Sequence, residues 1–256
     1  MTSFFHRALR IAAAIVITAF GAPAVADTPG FDRPGIAFAT DTLPPGSFDL
    51  EQGLPDFSRD SADGVRMRSF GADSVVRTGI LRHVEAQVLT SLFNRVDVDD
   101  HGDKSKAIGS GDTGLALKAA LPSSIDSLSW ATLASISFAS GDPAFSAGHP
   151  SYSLGVTGNW AVNDTQTLGL YGNVDRSAGR HVYTISPDWN FKLGDRLGAY
   201  IEAGRSFGYQ THEFDAGGGL AFMAWPTIQF DLSFLRGLTQ ASTDLQAGFG
   251  VSAFFN

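Results

Sequence analysis

Few stretches of this chain hold residue types that could do chemistry. In DVDDHGDKSKAI, residues 97–108, Asp97 and Asp99 are spaced like the first and third ligands of a calcium loop, and Gly102 falls at the sixth position. His101 takes the fifth, and Ile108 stands where a bidentate glutamate is needed, so a dedicated calcium site is excluded and a solvated loop is expected. His149-Pro150-Ser151 has the H-x-S spacing of a lipid hydrolase, a base two residues from a nucleophile. Pro150 breaks the chain between them and no nearby asparagine orients the histidine, so this reading is disfavoured. His83, His101, His181 and His212 stand singly in expected turns or loops, and no H-x-x-x-H pair or carboxylate cluster marks a metal site. No catalytic residue, metal or cofactor is expected.

The remaining polar residues recur at every second position. In SYSLGVTGNWAVNDTQTLGLYGNVDR, residues 151–176, Tyr152, Leu154, Val156, Trp160 and Val162 alternate with Ser153, Gly155, Thr157, Asn159 and Ala161. The same alternation follows the turn at Asn163-Asp164. A period of two puts one set on each face of a β-strand. Twelve strands are expected, near 46–54, 64–81, 84–95, 112–121, 128–139, 152–162, 165–175, 181–192, 196–205, 217–225, 228–236 and 244–255. The second is interrupted by Gly71-Ala72. Each core has roughly the nine to eleven residues that cross a bilayer at a tilt.

Composition narrows the class. Residues 1–26 read as a secretory signal: His6, Arg7 and Arg10, an apolar Ile11 to Phe20, then Ala24-Val25-Ala26. The chain has no cysteine, a net charge of −8, 17% charged residues and 29 glycines. No basic patch suggests nucleic acid, and no later apolar run reaches the length of a transmembrane helix. An exported, glycine-rich chain of this kind is a soluble all-β protein or a membrane barrel.

Two patterns decide between them. Connections alternate: short at 82–83, 122–127, 163–164, 193–195 and 226–227, longer at 55–63, 96–111, 140–151, 176–180, 206–216 and 237–243. Short turns on one side and long loops on the other are the habit of outer-membrane barrels. Trp130, Trp160, Trp189 and Trp225 all lie near short turns, while Tyr152 and Tyr183 lie at the opposite strand ends, giving two interfacial levels. If the apolar sets face lipid, the interior receives Glu51, Arg77, Glu85, Lys118, Asp188, Lys192, Glu202 and Asp231, with Gln87, Asn159, Thr167, Asn173, Asn190 and Gln229. So mixed a set cannot make a dry core unless nearly every charge is paired. A closed antiparallel transmembrane β-barrel of the outer-membrane type is expected over residues 46–256.

Short motifs then carry a resemblance. Arg33-Pro34-Gly35, Thr42-Leu43-Pro44-Pro45-Gly46 and Leu50-Glu51-Gln52-Gly53 come first, followed by Gly111-Asp112-Thr113-Gly114 and Phe138-Ala139-Ser140-Gly141-Asp142-Pro143. Asp215-Ala216-Gly217, Gln229-Phe230-Asp231-Leu232 and Arg236-Gly237-Leu238 complete the order. With these the chain resembles the transporters named for the meta-cleavage pathway of phenol degradation. The resemblance implies an outer-membrane barrel that passes small, often aromatic or hydrophobic, compounds, and it brings no catalytic residues.

The expected function is therefore passive passage of small, aromatic or hydrophobic solutes, with the eight interior charges setting selectivity. A non-transporting structural or adhesive barrel is the alternative, and an outer-membrane lipid hydrolase with Ser151 a weaker one. Outer-membrane lipids, lipopolysaccharide and the barrel-assembly machinery are the expected partners. Divalent ions bridging lipopolysaccharide are a looser reading of the acidic 97–108 loop. Residues 27–45, rich in proline and glycine, are irregular and a candidate lumen plug. Gly111-Asp112-Thr113 and Gly141-Asp142-Pro143 read as turn chemistry at loop mouths. Pro187 stands mid-strand, where it withholds a ladder donor. It marks a bulge or, more sharply, a lateral opening. Phe249, Val251 and Phe255 form a C-terminal assembly signal, followed by one extra residue, Asn256.

Overall fold

The computed structural model describes residues 29–256, so the expected signal segment lies outside the described residues. Thirteen strands follow an irregular segment: β1 Phe48–Ala62, β2 Val65–Leu81, β3 Val84–Asp100, β4 Asp103–Gly109, β5 Thr113–Leu121, β6 Leu128–Phe138, β7 Ser151–Asn163, β8 Gln166–Ser177, β9 Arg180–Lys192, β10 Leu197–Gly208, β11 Thr211–Trp225, β12 Ile228–Gly237 and β13 Leu245–Phe255. Apart from β4 and β5, sequence neighbours pair antiparallel, and β1 also pairs with β13. β3 pairs with β5 along its lower half and with β4 along its upper end. β4 and β5 are thus two pieces of one stave, and the ring closes with twelve staves. Closure pairs both edges of the twelve strands of the ring, as an apolar solvent demands of a β-structure, while β4 at the upper end pairs, among the described residues, with β3 alone.

The alternation read from the sequence sorts the two faces. Leu154, Val156 and Trp160 on β7 are exposed outward, as are Leu168 and Leu170 on β8 and Phe249 on β13. The opposite positions, Arg77, Glu85, Lys118 and Glu51, have no exposure at all. An apolar exterior around a charged interior inverts the soluble pattern and suits a bilayer. All four tryptophans are exposed at strand ends beside the short turns. No described helix is long and apolar enough to cross a membrane, which bears on helices alone.

Four expected long loops are strands instead. β1 and β2 run on to a turn at Asp63-Gly64, β3 and β4 meet at His101-Gly102, β8 and β9 at Ala178-Gly179, and β10 and β11 at Tyr209-Gln210. In the first three both turn residues have positive φ, the geometry that matches the twist of a tight hairpin. The 97–108 stretch, expected as a solvated loop, is therefore a hairpin. Asp97 faces Lys106 and Asp99 faces Lys104 across it, opposite charges that favour this register. Genuine loops remain at 139–150 and 238–244.

The register shifts at a few places. β1 bulges between Gly53 and Asp56 against β13, and between Gln52 and Asp56 against β2, around Pro55. β2 is continuous through Gly71-Ala72, with a shift against β3 there. At Pro187 the expected bulge is absent: β9 and β10 keep the same spacing from Asp188↔Glu202 to Ile185↔Arg205. Ser186 and Pro187 simply lack partners on β10, because proline has no N–H to give.

Candidate functional site

Residues 29–47 make contact with β1, β3, β5, β6, β8, β10 and β12. A segment that touches staves all round the ring runs inside it. Apart from a bridge between Pro45 and Gly79 it has no strand partner, so its backbone N–H groups need acceptors elsewhere. The barrel wall supplies carboxylates. Asp32 N and Arg33 N donate to the two oxygens of Glu51 at 2.8 and 2.7 Å. Leu43 N donates to Glu85 at 2.8 Å and Ile36 N to Glu202 at 2.9 Å. Three of the carboxylates expected to select solutes are thus engaged with this segment.

Two adjacent residues of the segment tie it to the wall in two directions. Asp32 accepts from Lys118 Nζ at 2.7 Å and Gln87 Nε2 at 2.9 Å, and lies 3.5 Å from Arg77 Nε. Arg33 reaches the other way, to Asp56 at 3.1 Å and Asp231 at 3.3 Å, and Gln229 donates to its carbonyl. Opposite charges on consecutive residues, each met by its complement, fix both position and orientation. Ionic hydrogen bonds of this kind are the stronger class.

Beneath this clamp is a buried charge cluster. Arg77 donates to Glu85 at 2.8 Å, to Glu51 at 2.9 Å and to the Gly30 carbonyl at 3.0 Å, and lies 3.2 Å from Asp49. The structure thus brings together Glu51, Arg77, Glu85 and Lys118 from the sequence reading. It adds Asp49 and Asp32, which that reading passed over. Asp49 was legible, since it precedes Glu51 by two residues on the same face. Asp32 and Arg33 carried no periodic signal, because their partners lie as far as 86 and 198 residues away.

The other expected residues are dispersed. Glu202 and Asp231 stand across the lumen, holding Ile36 N and Arg33. Asp188 accepts from Asn190. Lys192 is exposed at the lower mouth. His149 hydrogen-bonds Ser177 at 3.2 Å, and Ser151 pairs with Ser137 and Ser177 in the ladder.

The inner wall is shaped to the segment. A Cβ at Gly79 would stand 2.1 Å from the Pro44 carbonyl, one at Gly204 2.7 Å from Ile36, one at Gly155 3.0 Å from Phe38, and one at Gly250 2.5 Å from Arg33. Each of these glycines lies on the inward register, where any side chain would occupy the segment's place. Phe38 also meets Tyr171 edge-on at 5.8 Å. A cavity of about 600 Å³ lies above and one of about 520 Å³ below, and Arg33 and Pro34 border both. Asp56, Asn94, Phe145 and Ser233 line the upper one; Thr167, Asn190, Tyr200 and Gln229 line the lower.

Comparison with solved structures places the fold. The chain is similar to an outer-membrane channel from Pseudomonas putida F1, with a TM-score of 0.70 and 13% identity over 87% of this chain and 99% of that one. It is also similar to the KdgM porin in complex with disordered oligogalacturonate, at 0.56 and 10% identity over 82% and 99%. The translocator domain of the autotransporter NalP from Neisseria meningitidis follows at 0.51 and 13% identity over 84% and 91%. At such identities the likeness is one of fold. No curated protein matches the chain. The family model described as "Putative MetA-pathway of phenol degradation" matches residues 31–255, from inside the lumenal segment to the closing strand, and the chain belongs to that family.

Proposed function

We propose that this protein is an outer-membrane channel for passive passage of small solutes, closed at rest by residues 29–47. The observation that carries the reading is the double tie of Asp32 to β3 and β5 and of Arg33 to β1 and β12, at the neck between two cavities. A solute entering from either side meets Arg33, Pro34 and the segment's backbone before it can cross. The wall carboxylates act first as holders of the segment. They become lumen-lining charges when it moves.

Small aromatic or hydrophobic solutes are the proposed cargo, in keeping with the family's name. A second route has its own support. Beside Pro187 the β9–β10 ladder lacks two pairs, and Ile36 rests on the inner wall there at Gly204. Solutes that prefer hydrocarbon would leave the lumen sideways at this point.

Liposome swelling with sugars, organic acids and aromatic solutes tests the reading. Swelling is expected with at least one small-solute class, and to be faster for Arg33→Ala than for the native chain. A barrel that folds in liposomes yet passes none of the solutes in either form would instead be a structural or adhesive one.

A further inference from the structure

The outer wall changes character near its upper rim. Residues directly opposite on neighbouring strands share a face. Phe234, Phe57 and Phe70 lie in one such row across β12, β13, β1 and β2. One step higher, the row runs through Arg236, Arg59, Arg68, Asp97 and Lys106. The next holds Arg66, Asp99 and Lys104. These rows face outward, because the alternate register contains Asp56, which meets Arg33 inside the lumen.

An acidic chain of net charge −8 therefore concentrates cations on one exterior patch. Arg66 pairs with Asp99 at 2.9 Å, and Arg95 with Asp97 at 2.6 Å. Among the described residues, the side chains of Arg59, Arg68, Arg236, Lys104 and Lys106 have no hydrogen-bond or ion-pair partner. Arg59 and Arg68 stand directly opposite each other across β1 and β2. Like charges in that position repel and destabilise a sheet unless an anion lies between them.

We propose that this patch binds the phosphorylated lipid moiety of lipopolysaccharide. Geometry favours an amphipathic ligand over a free anion. The cationic rows sit immediately above an aromatic, lipid-facing row, so phosphates would meet Arg59 and Arg68 while acyl chains lie against Phe57 and Phe70. Guanidinium groups suit phosphate through paired, planar donors. The inference is independent of whether the lumen conducts.

Native mass spectrometry of the full-length barrel, incubated with diphosphoryl lipid A or phosphatidylethanolamine, tests it. The native chain should retain lipid A preferentially. Retention should fall at least tenfold in Arg59→Gln/Arg68→Gln, fall by less in Arg59→Lys/Arg68→Lys, which keeps the charge without the planar donors, and stay unchanged in Arg82→Gln at the opposite rim. Heat-modifiable migration on gels checks that each variant is folded. Equal retention by the native chain and the glutamine variant would overturn the proposal. So would complete displacement of lipid A by inorganic phosphate, which would mark a small-anion site.

Discussion

Arg77 shows how a charge can be buried in a protein whose exterior is apolar. Its guanidinium contacts Glu85, Glu51 and Asp49 with no exposure to solvent. Removing one member of such a set leaves the others uncompensated, at a cost of about 3–5 kcal/mol. Arg77→Met should therefore lower the urea midpoint of the folded barrel by that equivalent, and an unchanged midpoint would show the cluster to be solvated. Asp112 acts at the rim, where its carboxylate accepts N–H groups of Gly141 and Ala147 at 2.9 Å each. Slight burial works to raise this carboxyl; the N–H groups of Ala147 and Gly141 outweigh it, so it titrates below the usual range. A carboxyl lowered by folding contributes while ionised, so the tie is intact at neutral pH. It is lost as pH falls from about 4 through the folded value. Proteolysis within 139–150 by an acid-active protease should rise over that interval, and should already be high in Asp112→Asn at higher pH. A flat profile would detach the loop from Asp112.

At the scale of elements, the outward faces were legible and the strand ends were not. Alternating Leu, Val and Trp mark the bilayer-facing portion of each stave, and that pattern fades where outward positions become Arg59, Arg66 and Lys104. The period of two continues there in charge rather than in hydropathy. The turn signals were present too: Asp63-Gly64, His101-Gly102 and Ala178-Gly179 each end in glycine at a position of positive φ. Two elements carry predictions. β9 lacks two partners on β10 at Pro187, so Pro187→Val restores a ladder donor. It should slow uptake of hydrophobic solutes while sparing hydrophilic ones, and equal effects on both would remove the lateral route. β13 closes the ring against β1, and Phe255 stacks on Phe48 with ring centroids 4.7 Å apart. Phe255→Ala should reduce the assembled, heat-modifiable fraction, whereas deletion of Asn256 should not. The opposite order would discount the C-terminal signal.

The whole molecule is a closed wall with a segment of its own chain inside. The wall could be read from local pattern, because each strand reports its own two faces. The lumenal segment could be suspected only from its proline and glycine, since its ties are long-range and aperiodic. A subtler trace existed in the inward glycines: Gly79, Gly155, Gly204 and Gly250 leave room that an empty lumen has no need of. The same fold serves a porin and a translocator domain, so fold alone does not choose a cargo. Closure by the segment is the claim on which the channel reading turns. Loss of a hydrogen-bonded charge at Arg33 should weaken docking by about 1–3 kcal/mol, roughly a 5- to 150-fold shift toward the displaced state. Gly250→Leu reaches the same end by filling the Arg33 socket. The most direct measurement is single-channel conductance in planar bilayers of the native chain beside Arg33→Ala and Gly250→Leu. Brief or small openings in the native chain, with both variants open longer or wider, are expected. Equal conductance in all three, or silence in all three, would contradict a channel closed by its own N-terminal segment.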